Sequence, residues 1–135
     1  MKLTGLIAAP HSPFRADHSL NLECVPQQAA HLAACGVNGA FVAGTTGECH
    51  SLTTAERAQL FAAWGEAARE YGVQFIAHIG HNNLPDARAL AIAAQEAGAD
   101  AISAMAPNFF KTKHAADLVD WFARITAVSY THLRA

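Results

Sequence analysis

Residues 39–48 read Gly39-Ala40-Phe41-Val42-Ala43-Gly44-Thr45-Thr46-Gly47-Glu48, an apolar run that leads directly into two hydroxyl side chains between two glycines. The apolar run predicts a short buried strand. The glycines let the backbone turn sharply and bring N–H groups close to a ligand, while the threonines add two hydroxyl donors. This turn suits the binding of a small carboxylate, although an ordinary strand-to-helix turn fits the same pattern.

The turn differs from two other anion-binding loops. Glu48 follows the second glycine, whereas the Walker phosphate loop requires a lysine and then serine or threonine at this point. The first strand–helix connection of the chain also lacks Gly-x-Gly-x-x-Gly, which weakens a dinucleotide-binding interpretation. The pattern therefore favours a small organic acid over a nucleotide.

The same succession of apolar run, turn and helical pattern occurs four times along the chain. Predicted strands run from Leu3 to Ala9, Gly39 to Ala43, Val73 to His78 and Asp100 to Met105. Predicted helices run from Leu22 to Cys35, Thr53 to Tyr71, Pro85 to Ala97 and His114 to Ala127. Repeated strand–helix units of about 30 residues predict right-handed crossovers and a buried parallel sheet. A doubly wound sheet and the first half of a (β/α)8 barrel, which needs about 250 residues in full, both fit.

Composition limits the classes of function. The chain has 135 residues, of which 52% are hydrophobic and 15% charged, and its formal net charge is −2. These values predict one soluble domain and give no case for nucleic acid or a membrane as partner. Cys24, Cys35 and Cys49 lack C-x-x-C spacing, so we expect reduced thiols and a cytoplasmic protein. Cys49 lies beside the turn, where it is either a small spacer or a nucleophile.

Histidines offer a rival interpretation based on metal. His11, His50, His78 and His81 follow or end predicted strands, where the active site of a barrel forms. Such a group suggests a zinc-dependent aldolase or hydrolase. Acidic residues are scarce at the same strand ends, so we expect no metal and no cofactor. Besides a carboxylate-binding enzyme and a metal-dependent enzyme, the third alternative is an inert fragment or a non-enzymatic interaction module.

Several stretches together resemble the dihydrodipicolinate synthase/N-acetylneuraminate lyase superfamily. They are Gly5-Leu6-Ile7-Ala8-Ala9-Pro10 with Pro13-Phe14, the Gly44–Glu48 turn, Ser51-Leu52-Thr53 with Glu56-Arg57, Gly98-Ala99-Asp100-Ala101-Ile102, and Ala106-Pro107-Asn108-Phe109-Phe110-Lys111. They occur in the order of the family and cover nearly all of residues 3–127. The resemblance implies a (β/α)8 barrel, of which this chain supplies about the first four β/α units. It also implies a homotetrameric enzyme that forms a Schiff base between a lysine and a 2-keto acid such as pyruvate.

Within the superfamily, residues 49–52 and 104–111 are most similar to the lyase branch. That resemblance implies retro-aldol cleavage of N-acetylneuraminate to N-acetylmannosamine and pyruvate, with dihydrodipicolinate synthase chemistry as the alternative. It implies that Thr46 binds the keto-acid carboxylate together with backbone N–H groups of the turn, including that of Gly47. It also implies that Thr45 either serves in the proton relay or contacts the carboxylate as well. Phe109 or Phe110 occupies the place of the relay tyrosine of the family, and neither side chain carries a proton.

The resemblance places the Schiff-base lysine at the end of a sixth strand and its tyrosine partner at the end of a fifth, beyond the four predicted strands. We therefore expect the 135-residue chain to be inactive by itself. Lys111 and Lys113 follow the fourth strand and are expected to be surface residues. Residues 1–127 are predicted to be the amino-terminal half of the barrel domain. Residues 128–135, which include Tyr130, do not continue the family pattern and are predicted to be an artefactual tail.

Overall fold

The chain forms one parallel sheet with helices between successive strands. The computed structural model describes residues 3–109 and 111–128, together with the backbone of residues 132–134. The strands are β1 (Ile7–Ala8), β2 (Gly39–Val42), β3 (Gln74–His78), β4 (Ala101–Ser103) and β5 (His132–Arg134). The helices are α1 (Val25–Ala34), α2 (Thr54–Tyr71), α3 (Leu84–Glu96) and α4 (Ala115–Thr126), with a 3-10 turn at Leu22–Cys24. Each strand pairs in parallel with the next, in the order β1-β2-β3-β4-β5.

Helix α2 shows how local sequence determines an element. The Thr53 side chain accepts a hydrogen bond from the Glu56 N–H, and the Glu56 carboxylate accepts one from the Thr53 N–H at 2.8 Å. This capping box satisfies N–H groups that the first helical turn leaves unpaired. At the other end Gly72 adopts φ 69°, a left-handed conformation that residues with a Cβ adopt at a cost. Both predicted ends of this helix are confirmed.

The two faces of the sheet have different neighbours. On one face, Phe75 of β3 contacts Phe61 of α2 with 6.1 Å between ring centroids. This face joins the core that the helices cover, in which Trp64 is 1% exposed. Side chains alternate along a strand, so Ile76 and His78 of β3 point to the opposite face. In a closed barrel that second face is the interior.

Strand β1 is shorter than predicted. The sequence predicts a strand from Leu3 to Ala9, but only Ile7–Ala8 pair with β2. β1 lies at the edge of the sheet and pairs on one side only, and Gly5 before it has φ 79°, which is incompatible with a strand. Leu6 and Ile7 are 65% and 36% exposed, which leaves an apolar edge open.

Strand β5 was not anticipated from the sequence. It lies within residues 128–135 and pairs in parallel with β4, with Ile102 opposite Leu133. The artefactual origin of this segment stays a prediction. None of the helices within the described ranges has both the length and the apolar character needed to cross a bilayer.

Candidate functional site

The polar loops of the molecule meet at one end of the sheet. Because all strands are parallel, their carboxyl ends lie at the same edge. Ala9, the Gly44–Glu48 turn and Met105 follow β1, β2 and β4, and His78 ends β3, so all four lie at this edge. We call it the carboxyl-end rim, and the opposite edge, where the strands begin, the amino-end rim. The predicted shared position of these strand ends is confirmed.

The Gly44–Glu48 turn presents unused hydrogen-bond donors. The Glu48 N–H donates to the Thr45 carbonyl at 3.0 Å and the Cys49 N–H donates to the Gly44 carbonyl at 3.2 Å, which closes the turn. Thr45 and Thr46 are exposed. Within the described part of the chain, no hydrogen bond uses the N–H groups of Thr45, Thr46 and Gly47 or the two threonine hydroxyls. Successive free N–H groups in a turn form a concave site for an anion.

Both glycines of the turn are required by the space around them. A Cβ on Gly44 would lie 2.6 Å from the ring of Phe41, and one on Gly47 would lie 3.0 Å from the backbone N and Cα of Ala43. Ala43 and Glu48 on either side of the turn have φ values of 53° and 54°. A left-handed residue with a side chain stores roughly 1–3 kcal/mol of strain, which surrounding packing must hold in place.

Ser12 fixes the turn from the neighbouring loop. Its side chain is buried, and its hydroxyl donates to the Gly47 carbonyl at 2.6 Å. The bond joins the loop after β1 to the loop after β2, so two strand ends hold the turn together. Sequence reasoning missed this residue. The feature that could have revealed it is a small hydroxyl residue between two prolines, Pro10 and Pro13, in a segment that the sequence predicts only as a loop.

Arg57 of α2 lies beneath the rim as a buried cation. It is 1% exposed and donates hydrogen bonds to the carbonyls of Gly80, at 3.0 Å, and of His78. Burial lowers the pKa of its guanidinium, and the neighbouring Cys49 acts in the opposite direction. Arg57 thus anchors the end of β3 to α2. A separate role for Arg57 was not predicted from the sequence, because its carbonyl partners lie more than 20 residues away in the chain.

His78 is the second buried ionisable group at the rim. Its side chain is 3% exposed and tilts against the ring of Phe41, with 5.8 Å between the two centroids. Its pKa is lowered from 6.5 to about 4, first because burial disfavours the charged imidazole, and then because Arg57 and His50 are positive neighbours. The imidazole is therefore neutral at pH 7.

The histidines proposed as metal ligands have other surroundings. The His81 ring accepts a hydrogen bond from the Asn83 N–H at 3.0 Å and lies 3.6 Å from the Asp86 carboxylate. Across the described ranges no three His, Cys, Asp or Glu side chains are grouped so that they could hold a metal ion. The metal alternative therefore has no ligand set in this part of the chain.

The loop after β4 is held by a side chain from the loop after β3. The Asn82 side-chain oxygen accepts hydrogen bonds from the N–H groups of Asn108 at 2.9 Å and Phe109 at 3.2 Å. Phe109 is 77% exposed, while Phe110 lies outside the described residues. Lys111 and Lys113 are exposed, as predicted for surface lysines. Tyr130 also lies outside the described residues.

Each rim has a cavity of similar volume. A cavity of about 430 Å³ beside the turn is lined by Phe14, His18, Glu48 and Ser51. Another of about 440 Å³ lies at the amino-end rim, where Arg69 and Asp100 are its charged lining residues. The first cavity shares Glu48 with the Gly44–Glu48 turn, whereas the second has no lining residue in common with it. The two cavities have nearly the same volume, so they differ in their contact with the turn and not in their size.

Comparison with known proteins gives one consistent result. The model of the dihydrodipicolinate synthetase family matches residues 2–133. The N-acetylneuraminate lyase of Danio rerio is 40% identical over 111 residues, which are 82% of this chain and 36% of that protein. The structure of Proteus mirabilis N-acetylneuraminate lyase superposes with a TM-score of 0.93 at 38% identity and covers 98% of this chain and 45% of that chain.

A further solved structure carries a ligand. It is a prophage protein of the dihydrodipicolinic acid synthase family from E. coli K12 in complex with pyruvate, with a TM-score of 0.90, 26% identity, and coverage of 96% of this chain and 43% of that chain. The chain thus spans less than half the length of these proteins. The prediction of a (β/α)8 barrel of which these residues form the first part is confirmed by the similarity and by the parallel sheet.

Proposed function

The chain belongs to the dihydrodipicolinate synthetase family, and on this premise we propose that its Gly44–Glu48 turn binds the carboxylate of a 2-keto acid. The observation that carries the proposal is the set of free donors at one turn: three successive backbone N–H groups and the hydroxyls of Thr45 and Thr46. A carboxylate has two oxygens that accept several hydrogen bonds. The E. coli K12 relative in complex with pyruvate supports this ligand class.

The surroundings of the turn favour tight positioning of the ligand. Ser12 holds the Gly47 carbonyl, and Phe41 fills the space below Gly44, so the donors are ordered before a ligand arrives. Preorganised dipoles bind an anion without having to reorient. The keto group is then held at a fixed place relative to the rim, which is what attack by an amine requires. Thr46 contributes its hydroxyl to the carboxylate, and Thr45 does the same or passes a proton.

In the whole protein, the reaction is carbon–carbon cleavage through a Schiff base. The substrate is N-acetylneuraminate, which yields N-acetylmannosamine and pyruvate, and its lysine comes from the part of the family fold beyond these strands. The relatives named N-acetylneuraminate lyase in Danio rerio and Proteus mirabilis support this choice over the synthase reaction. The whole protein is a cytoplasmic homotetramer in this proposal.

The 135-residue chain alone should form no covalent adduct with pyruvate. Lys111 and Lys113 are exposed, whereas a lysine that forms a Schiff base is activated by an apolar pocket or by a neighbouring cationic group. Treatment with pyruvate and borohydride, followed by intact mass measurement, is expected to give an unmodified mass. A single specific adduct on either lysine would contradict this part of the proposal.

A titration with pyruvate tests the binding proposal. We expect saturable shifts of the backbone amide signals of Thr45, Thr46 and Gly47 in two-dimensional NMR spectra. Thr46→Val removes a hydroxyl that bonds a charged group and should weaken binding about tenfold or more. Thr4→Val is the matched control, because Thr4 is an exposed threonine at the amino-end rim. Equal affinities for the two variants would contradict the proposed role of Thr46.

A further inference from the structure

The side chain of His78 points to the face of the sheet that the helices do not cover. It is the last residue of β3, so it lies at the carboxyl-end rim. Its neighbours Ala77 and Ile79 belong to the core beneath the helices. Alternation along the strand therefore directs the His78 side chain to the opposite face, which it shares with Phe41. This is the face that a complete barrel encloses.

The His78 imidazole is buried, and no residue in the described part of the chain forms a hydrogen bond with it. The side chain is 3% exposed, and neither Nδ1 nor Nε2 is hydrogen-bonded among the described residues. Buried polar groups in proteins are nearly always paired, so a ring with two unpaired nitrogens needs an explanation. A neutral imidazole has one N–H donor and one acceptor nitrogen, and no described residue bonds to either of them.

The ring is held in place by its surroundings on two sides. Phe41 packs against it, and the same Phe41 ring lies under Gly44 of the turn. On another side, a Cβ at Gly80 would lie 2.8 Å from Nε2, so only glycine leaves room for the ring there. Arg57 holds the His78 carbonyl and thereby fixes the backbone. One aromatic side chain thus connects the unpaired imidazole to the turn.

We propose that His78 is a second ligand-contacting residue of the same site and donates a hydrogen bond to the keto oxygen of the 2-keto acid. The inference rests on the proposed function, because the turn takes the carboxylate and leaves the keto oxygen as the remaining acceptor of pyruvate. The low pKa of His78 agrees with this role, since a neutral ring donates without adding a positive charge. His78 would then select keto acids over simple carboxylic acids.

Two ligands separate the contributions of the two parts of the site. Pyruvate has the keto oxygen and propionate lacks it, while both have a carboxylate. His78→Phe keeps an aromatic ring against Phe41 and removes the donor, so it should weaken pyruvate binding about three- to tenfold and leave propionate binding unchanged. His78→Gln restores an N–H donor and should recover part of the pyruvate affinity. His31→Phe, at an exposed histidine of α1, is the matched control.

A second test uses the unsubstituted chain and therefore does not depend on whether a variant folds. The ring ¹⁵N signals of His78 report its tautomer and its hydrogen bonds, and we expect them to shift with pyruvate and not with propionate. Pyruvate that shifts the turn amides but leaves the His78 ring signals unchanged would overturn this inference and retain the proposed function. Pyruvate that shifts neither would overturn both.

Discussion

The two rims of the sheet use left-handed backbone in different ways. Among the described residues, positive φ values at the amino-end rim belong only to glycines, namely Gly5, Gly36, Gly72 and Gly98. At the carboxyl-end rim they belong to residues with side chains, namely His18, Ala43 and Glu48. Glycine adopts this conformation without strain, whereas other residues do so only when packing compels them.

This difference separates folding from function. Gly36, Gly72 and Gly98 lie between a helix and the following strand, where glycine ends the helix at no steric cost, and Gly5 precedes β1. The carboxyl-end rim holds strained residues, the buried guanidinium of Arg57 and the unpaired imidazole of His78. Strain and unpaired polar groups persist at sites where binding gains from them. We therefore expect the carboxyl-end rim to bind the ligand and to depend on buried contacts that hold its strained and buried polar groups in place, whereas the amino-end rim needs no such contacts.

The largest effect is expected for the buried cation. Arg57→Met keeps the length of the side chain but leaves the carbonyls of His78 and Gly80 without their donor. Each buried unpaired group costs about 1–3 kcal/mol, so the free energy of unfolding should fall by roughly 2–6 kcal/mol. Arg69→Met, at an exposed arginine of the amino-end rim, should change it by less than about 0.5 kcal/mol. Urea denaturation measures both, and equal losses would remove the distinction between the rims.

Acid should destabilise the chain through His78. The unfolded chain binds a proton near the ordinary pKa of 6.5, whereas the folded chain binds it only near 4. Between these values the unfolded state carries more protons, so stability falls as the pH decreases from 6.5 to 4. The loss is on the order of 3 kcal/mol, from 1.36 kcal/mol per pKa unit.

Urea denaturation at several pH values measures this slope, which is the change in the free energy of unfolding with pH. His78→Phe should remove most of it, and His31→Phe at an exposed site should leave it in place. A slope that persists in the His78 variant would show that another group titrates in this range.

The next effect concerns the space around the turn. Gly47→Ala places a Cβ 3.0 Å from the backbone of Ala43, which cannot move aside as a flexible side chain could. We expect a loss of about 1–3 kcal/mol in stability, together with loss of pyruvate binding. At the amino-end rim, Gly36→Ala meets no atom within 4 Å and suffers only the strain of φ 72°, about 1–2 kcal/mol. Pyruvate titration of both variants checks the result, and Gly36→Ala should bind normally.

The smallest effect is a gain in stability. The backbone of Glu48 has φ 54°, which is strained for a residue with a side chain, and its side chain is exposed. Glu48→Gly removes this strain and should stabilise the fold by up to about 1 kcal/mol. The turn then becomes more flexible, so pyruvate should bind more weakly. A thermal melt and a titration of the same variant measure the two opposite changes. A stabler protein with tighter binding would contradict the idea that the strain serves binding.

Much of the fold follows from local sequence. The capping box at Thr53 and the glycine after Tyr71 determine helix α2 by interactions within a few residues, and the structure has both. The length of β1 did not follow, because it depends on having one neighbouring strand rather than two. Strand β5 was missed for a related reason, since its pairing with β4 is a contact between segments distant in sequence.

The candidate site was predictable only where it is continuous in the chain. The Gly44–Glu48 turn carries its glycines and hydroxyls side by side, so its pattern is visible without a structure. Ser12 and Arg57 contribute through bonds to Gly47, Gly80 and His78, which lie 21 to 35 residues away. The environment of His78 depends on β2, β3 and α2 at once. Its sequence position suggested a metal ligand, and only the packing shows a buried imidazole that bonds to none of the described residues.

A pyruvate titration of the chain followed by two-dimensional NMR tests most directly whether the Gly44–Glu48 turn binds the keto acid. We expect saturable shifts at the amides of Thr45, Thr46 and Gly47 on the carboxyl-end rim, and Thr46→Val should reduce the affinity about tenfold. No shift is expected at Gly72 or Gly98, which line the cavity of the amino-end rim. Shifts confined to Gly72 and Gly98, or no saturable shift at the turn, would contradict the claim that this turn binds 2-keto acids.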